Sequence, residues 1–137
     1  MPYEELPHTA DWCLRVDAPD LAGLLVEAAL GMNELAGITL QTGPRVQRTI
    51  ALTEGDAESL LVAFLSEILF LAEQKRLAFN AFRVQIDTLH GQPLMLRARL
   101  RGRPIRSQAK AIKAVTFHNL NIHTTSRGLQ VEIVFDV

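Results

Sequence analysis

The sequence has a single cysteine, Cys13, among 137 residues. One cysteine cannot form an intramolecular disulfide, and it cannot supply a cysteine-rich zinc site. An isolated cysteine is typical of a reducing compartment, where this residue type is usually buried and inert. We therefore predict a cytoplasmic protein.

The sequence also lacks a long apolar run. The longest stretch worth testing, residues 60–72, is interrupted by Ser66 and Glu67, and it falls well short of the roughly 20 residues that span a bilayer. The N-terminus has no basic region followed by an apolar segment, so no secretory signal is expected. These features predict a soluble protein without a membrane partner.

Neither sign of charge is in excess, since 14 lysines and arginines face 15 acidic residues and give a net charge of -1. Such a chain has no global attraction for RNA, so any contact needs a local basic patch. The four histidines show no metal-binding spacing, and no nucleophile elbow or phosphate-binding glycine loop is present. We expect a protein that is not itself an enzyme.

What is present suits one compact domain. Apolar residues make up 48% of the chain and charged residues 21%, close to the average for globular proteins. A chain of this length can bury a core of its own. No repeat or linker divides it, so we predict a single domain over residues 1–137.

Two helices are predicted from apolar residues at helical spacing. The first covers Leu21 to Leu35, and Gly37 is placed to end it. Asp56 is placed to cap the second, which runs from Ala57 to about Arg76 and has a broad apolar face.

Alternation of apolar and polar residues predicts about eight strands, with turns at Gly91, Arg103-Pro104 and Arg127-Gly128. The strands are placed near residues 3–6, 12–16, 46–50, 82–86, 94–100, 111–117, 120–122 and 131–135. Two long helices among strands with short connections predict an α+β fold, in which the helices pack on a mixed, largely antiparallel sheet.

Three acidic groups near the chain ends are candidates for chemistry. Asp11 follows a short polar run, where an aspartate either caps a turn or presents its carboxylate at a loop lip. Asp136 and the terminal carboxylate of Val137 place two hard anionic groups side by side, which is costly unless a cation or donor neutralises them. Oxygen ligands of this kind suit Ca²⁺, Mg²⁺ or Mn²⁺.

Four arginines alternate with small or apolar residues along one predicted strand: Arg97, Arg99, Arg101 and Arg103. A continuous strand would put their guanidinium groups on one face. The face is either an ordinary solvated surface paired with nearby carboxylates, or a docking surface for RNA or an acidic protein.

Three separated segments together resemble the archease family. They are His8-Thr9-Ala10-Asp11, Ile112 to His118, and Val134-Phe135-Asp136-Val137. The helices over residues 24–31 and 60–70 also resemble those of the family, so the likeness covers essentially the whole chain. Trp12, Asn119 and a loop over residues 102–108 that looks short depart from the family pattern.

The resemblance implies an accessory factor for the GTP-dependent RNA ligase that joins 3′-phosphate or 2′,3′-cyclic phosphate ends to 5′-hydroxyl ends in tRNA splicing and RNA repair. The factor would promote guanylylation of the ligase and sustain multiple turnover, and its contact with RNA is expected to be indirect. The implied fold is one strand-helix-strand-strand unit nested within another.

The resemblance also assigns roles to residues. Asp11, Asp136 and Val137 correspond to a metal-binding cluster for a divalent ion, Ca²⁺, Mg²⁺ or Mn²⁺. Lys113 matches a functionally important basic position, and we expect His8 and His118 to lie with it at the partner-binding surface.

Two other functions remain open at this point. Clustered carboxylates can hold Mg²⁺ for water activation, so a metal-dependent phosphatase or nuclease is one alternative. A general chaperone-like binding module that uses the arginine face is the other.

Overall fold

The computed structural model describes residues 2–6, 12–88 and 90–137. Within these residues, two helices and nine strands form an α+β fold, and this confirms the predicted fold class. In chain order they are β1 (Tyr3–Leu6), β2 (Trp12–Ala18), α1 (Leu21–Leu35), β3 (Ile38–Leu40), β4 (Val46–Glu54), α2 (Ala57–Lys75), β5 (Leu77–Thr88), β6 (Leu94–Gln108), β7 (Ala114–Val115), β8 (His123–Thr125) and β9 (Gly128–Asp136).

The two helices begin at capping aspartates. Asp20 accepts a hydrogen bond from the backbone N–H of Gly23 at 2.8 Å, and Asp56 accepts one from Ser59 at 2.7 Å. These bonds satisfy backbone donors in the first turn of each helix. The bond from Ser59 also lowers the pKa of Asp56. Gly37, with a positive φ of 63°, follows the end of α1 as predicted.

One sheet has the order β1-β2-β9-β7, and β8 pairs with another part of β9. β9 is therefore central: Trp12 to Ala18 pair with it along one side, and β7 and β8 share its other side. The last strand of the fold thus lies inside a sheet.

The second sheet is built around the long strand β6, which pairs with β5 on one side and with β3 and β4 in succession on the other. Each strand pairing in the described residues is antiparallel. The contiguous run β4-α2-β5-β6 is a strand-helix-strand-strand unit placed between α1 and the C-terminal strands.

The helices join the two sheets. α1 contacts β2 in the first sheet and β5 in the second, and α2 contacts β4, β5 and β7. Phe64, Phe79 and Phe135 are fully buried in one core cluster that both helices and both sheets share. Neither described helix combines the length and apolar composition needed to cross a bilayer.

The turn predicted at Arg103-Pro104 is wrong, because β6 continues through it to Gln108. Proline lacks a backbone donor and is tolerated in a strand beside a bulge. β5 shifts register between Phe79 and Ala81, close to the partner of Pro104. The backbone remains paired through its other groups: Pro104 accepts from Gln41, and Ile105 donates to Arg76. Residues 102–108 are therefore strand and not a short loop.

The strand predicted over residues 111–117 is only two residues long, Ala114–Val115. The Thr116 side chain donates to the Val134 carbonyl and accepts from the N–H of His118, which turns the chain away from the sheet. The strand predicted over 120–122 is absent, because the N–H of Ile122 donates to Glu58 of α2 at 2.9 Å and not to another strand. β3 was not predicted, since three residues are too few to show alternation.

Tyr3 links β1 to α1 and should titrate at unusually high pH. Its hydroxyl donates to the Glu34 carboxylate, and this bond, together with burial, raises the Tyr3 pKa from 10.0 to about 12. Because the neutral form is favoured, the stability that this contact contributes is complete below pH 10 and is lost as the pH rises towards about 12. Tyr3 is the only tyrosine, so its ultraviolet titration is unambiguous. We expect Glu34→Ala to bring the midpoint back towards 10; an unchanged midpoint would contradict the contact.

Candidate functional site

The end of β9 lies between the start of β2 and the segment from Ile112 to His118, which carries part of the archease resemblance. On one side, Trp12, which directly follows Asp11 in the chain, is paired with Phe135. On the other, Ala114 is paired with Asp136, and the N–H of Lys113 donates to the Asp136 carbonyl at 2.7 Å. Residues more than 100 positions apart in the sequence thus meet at one strand end.

The last residues of β9 point in different directions. Phe135 is completely buried, the Asp136 side chain is exposed, and Val137 is half-buried against the core. Alternation along the strand therefore turns the Asp136 carboxylate outward, while packing of the Val137 side chain holds the chain end at the sheet.

Acidic groups at this strand end are not neutralised by a described basic side chain. In the parts of the chain that the structure describes, the one ion pair joins Arg15 to Glu4, at 2.9 Å. Carboxylate oxygens of this kind suit a hard divalent cation. Residues 2–6, 12–88 and 90–137 contain no group of three or more His, Cys, Asp or Glu side chains at metal-binding distance.

Asp11 and His8 lie outside the described residues, so the full set of Asp11, Asp136 and Val137 stays a prediction. Of this set, the described residues place the Asp136 side chain at the surface of the strand end beside Val137. A carboxylate is an oxygen donor of the kind that suits the implied ion.

The segment after β7 presents an exposed aromatic ring. Phe117 is 59% exposed, and its neighbours Lys113 and His118 are also exposed. Nε2 of His118 lies 3.3 Å from the side-chain nitrogen Nδ2 of Asn119. Sequence reasoning missed Phe117, because period-two alternation over residues 111–117 placed it towards the core. The only available signal was its position between a threonine and a histidine in the family motif.

Two residues that depart from the family pattern have clear structural settings. Trp12 is half-buried, and the ammonium group of Lys110 lies 4.9 Å from the centre of its ring, a favourable cation–π distance. Asn119 has a positive φ of 50°, a conformation that asparagine tolerates better than most residues. Neither substitution disturbs the pairing of β7 or β9.

Cys13 lies beside this site but is not available for chemistry. It is buried, and burial together with the nearby Glu132 carboxylate raises the pKa of its thiol. Since the thiolate is the reactive form, these surroundings make the residue inert.

The predicted arginine stripe lies on the other sheet. Arg97, Arg99 and Arg101 are exposed and alternate with the buried Leu96, Ala98 and Leu100. Arg103 is half-buried beyond Gly102, where its Nε donates to the Gly43 carbonyl at 2.9 Å. None of the four has a carboxylate partner within the described residues, so pairing with nearby acids is not seen there, and the choice between a solvated face and a docking surface stays open.

The fold and this strand end define a small α+β protein with an acidic sheet terminus beside an exposed aromatic ring. Residues 3–137 match the family model described as Archease protein family (MTH1598/TM1083). The chain belongs to the archease family.

Individual relatives match over nearly their whole length. The chain is 32% identical to the protein archease of Methanosarcina acetivorans, over 98% of this chain and 95% of the relative. It is also 32% identical to that of Methanopyrus kandleri, over 100% of both. The solution structure of Methanobacterium thermoautotrophicum protein 1598 has the same fold, with a TM-score of 0.78 and 24% identity over 99% of each chain.

Proposed function

We propose that this protein is an accessory factor of the GTP-dependent RNA ligase in the cytoplasm, and that it promotes guanylylation and repeated turnover of that ligase through the end of β9. Membership of the archease family is consistent with this role. The observation that carries the proposal is the meeting of the β2 start, the β7 segment and the β9 end at one place.

Asp11 is assigned to the site through its covalent bond to Trp12. Trp12 lies opposite Phe135, the residue that precedes Asp136. This link supports a cluster made by the carboxylates of Asp11, Asp136 and Val137, which would hold a divalent ion. When bound, such an ion would neutralise negative charge on a phosphate oxygen during guanylyl transfer.

The surrounding residues of this chain would dock and orient the ligase. Phe117 offers an exposed ring of the kind that anchors protein interfaces. Lys113 and His118, both exposed, place polar groups around it. The backbone hydrogen bond from Lys113 to Asp136 holds this residue at the acidic strand end. Because its side chain is exposed, the ammonium group can reach an anionic group of the ligase or its nucleotide.

The division of labour leaves the chemistry to the ligase. No described group beside Asp136 combines a nucleophile with a base. The ligase would supply the nucleophile that accepts guanylate, and this protein would supply charge and position.

The proposal is tested by reconstitution with limiting RNA ligase, GTP and an RNA that carries 3′-phosphate and 5′-hydroxyl ends. We expect more than one ligation per ligase only when this protein is present. We expect Lys113→Ala to lower the turnover rate about tenfold, which corresponds to one hydrogen bond to a charged group. Lys75→Ala removes another exposed lysine, from α2, and should leave the rate unchanged; equal loss in both variants would argue against a specific role.

A further inference from the structure

A strongly basic surface covers the outer side of the second sheet. It consists of five exposed arginines, Arg45, Arg83, Arg97, Arg99 and Arg101, and is called the arginine face below. Two shallow depressions share Arg83 and Arg99, one of them also lined by Arg97 and the other by Arg45 and Arg101. The face therefore holds five of the 14 basic residues of a chain whose net charge is -1.

These arginines are brought together against their mutual repulsion. Arg83 lies directly opposite Arg99 in the β5-β6 ladder, where like charges are destabilising. Arg101 bonds only the neutral side chain of Gln47, at 3.2 Å. Asp87, at the far end of the same sheet, bonds Gln85. Arg15–Glu4 is the one ion pair in the described chain, so no described carboxylate neutralises the face, and its guanidinium groups are free to contact an anionic ligand.

The composition and spacing of the face favour a phosphate backbone over an acidic protein. Around the arginines, the outward positions of the neighbouring strands carry Gln47, Thr49, Ala51 and Gln85. Phe82 lines one depression, but its ring packs into the core against Phe64, so no aromatic side chain projects outward from the described part of the face. Protein interfaces have an apolar, aromatic-rich centre from which charged residues are depleted. Alternate residues on a strand are roughly 7 Å apart, close to the spacing of consecutive phosphates in an extended single strand. Arginine forks match phosphate oxygens.

We propose that the arginine face binds the phosphate backbone of an RNA strand directly, in contrast to the indirect contact that the family resemblance implies. The choice of RNA among polyanions rests on the proposed function. The lack of stacking aromatics means that binding is independent of sequence and strongly dependent on salt. The face lies on the second sheet, whereas the β9 end belongs to the first, so RNA and the ligase would be held on separate surfaces.

The test uses the purified protein without ligase, so that its outcome does not depend on the ligase role. Anisotropy of a labelled single-stranded oligouridylate is measured from about 50 to about 200 mM salt. We expect Arg97→Gln with Arg99→Gln to weaken binding at least about tenfold at low salt and to reduce the slope of log affinity against log salt by about 1.4, since each phosphate contact contributes about 0.7.

Two matched variants and one competitor complete the test. Arg127→Gln removes an exposed arginine from the β8-β9 turn of the first sheet. Arg48→Gln removes an exposed arginine from β4. Arg48 is paired with the buried Leu100, so it lies on the opposite side of the second sheet from the arginine face. Both should change affinity less than about twofold, well under one decade. The proposal is overturned if the wild type does not bind the oligonucleotide, if the controls lose as much affinity as the double variant, or if polyglutamate of equal charge displaces the RNA.

Discussion

Gly102→Ala is expected to cause a large loss of stability. A Cβ at Gly102 would lie 1.9 Å from the Ala78 carbonyl oxygen and 2.7 Å from the Phe79 Cα. Both atoms belong to backbone, so no side chain can move aside to make room. The bulge that brings β5 so close is itself held, because Asn33 of α1 donates to the Phe79 carbonyl at 2.7 Å.

The expected cost is about 3 kcal/mol of unfolding free energy, at the upper end for overpacked sites. Thermal and urea unfolding measure it, with a decrease in melting temperature of roughly 10 °C. Gly55→Ala is the matched control: nothing lies within 4 Å of its added Cβ, and fewer unfolded conformations should leave stability unchanged or slightly higher. Similar behaviour of the two variants would mean that β5 and β6 are not packed as described.

Removal of a carboxylate from the β9 site is expected to have the largest effect on function. Loss of a residue that only supports a metal ligand typically lowers metal affinity 10- to 100-fold. Loss of a ligand itself should cost more, so we expect Asp11→Ala and Asp136→Ala each to lower divalent-ion affinity at least about 100-fold and to abolish stimulation of the ligase. Calorimetric titration of the protein alone with Ca²⁺, Mg²⁺ or Mn²⁺ measures the first effect without any ligase.

Glu132→Ala provides the control, because Glu132 is an exposed carboxylate on the same strand and the same side of the pleat as Asp136. It should leave ion binding and stimulation unchanged. Extension of the chain by two residues after Val137 moves the terminal carboxylate and should act like Asp136→Ala. Ion affinity that survives all of these changes would place the divalent site elsewhere.

Periodicity and local capping rules predicted much of this fold. α1 and α2 begin after Asp20 and Asp56 and end near Gly37 and Arg76, because capping and apolar spacing are local properties that a sequence displays directly. The alternation in β6, also a local property, correctly predicted that Arg97, Arg99 and Arg101 point outward. The family resemblance then supplied the nested strand-helix-strand-strand arrangement, which periodicity alone did not.

The errors occurred where a distant residue decides the local structure. Arg103-Pro104 has the composition of a turn, but pairing with β5 and Gln41 holds it in a strand. Residues 120–122 alternate like a strand, yet the N–H of Ile122 donates a hydrogen bond to Glu58 of α2 and not to another strand. Phe117 is exposed because a Thr116 hydrogen bond turns the chain. Contacts of this kind cannot be predicted from a window of neighbouring residues.

The β9 site shows the same limit. Asp136 and Val137 could be predicted to crowd two negative charges, but composition and spacing gave no reason to connect them with residue 11 or Lys113. The β2-β9 and β7-β9 pairings provide that connection for the described residues. They also explain why two of the three family segments, Ile112 to His118 and Val134 to Val137, are separate in the sequence: both contribute to one strand end.

The most direct test of the ligase role follows radiolabelled guanylate from GTP onto limiting ligase during continuous ligation. With the wild-type protein, we expect the label on the ligase to be renewed through many rounds. With Asp11→Ala, we expect one round and no renewal. Multiple turnover at the wild-type rate with Asp11→Ala would contradict the proposed carboxylate mechanism, and hydrolysis of GTP or RNA ends by the purified protein alone would point to a phosphohydrolase instead.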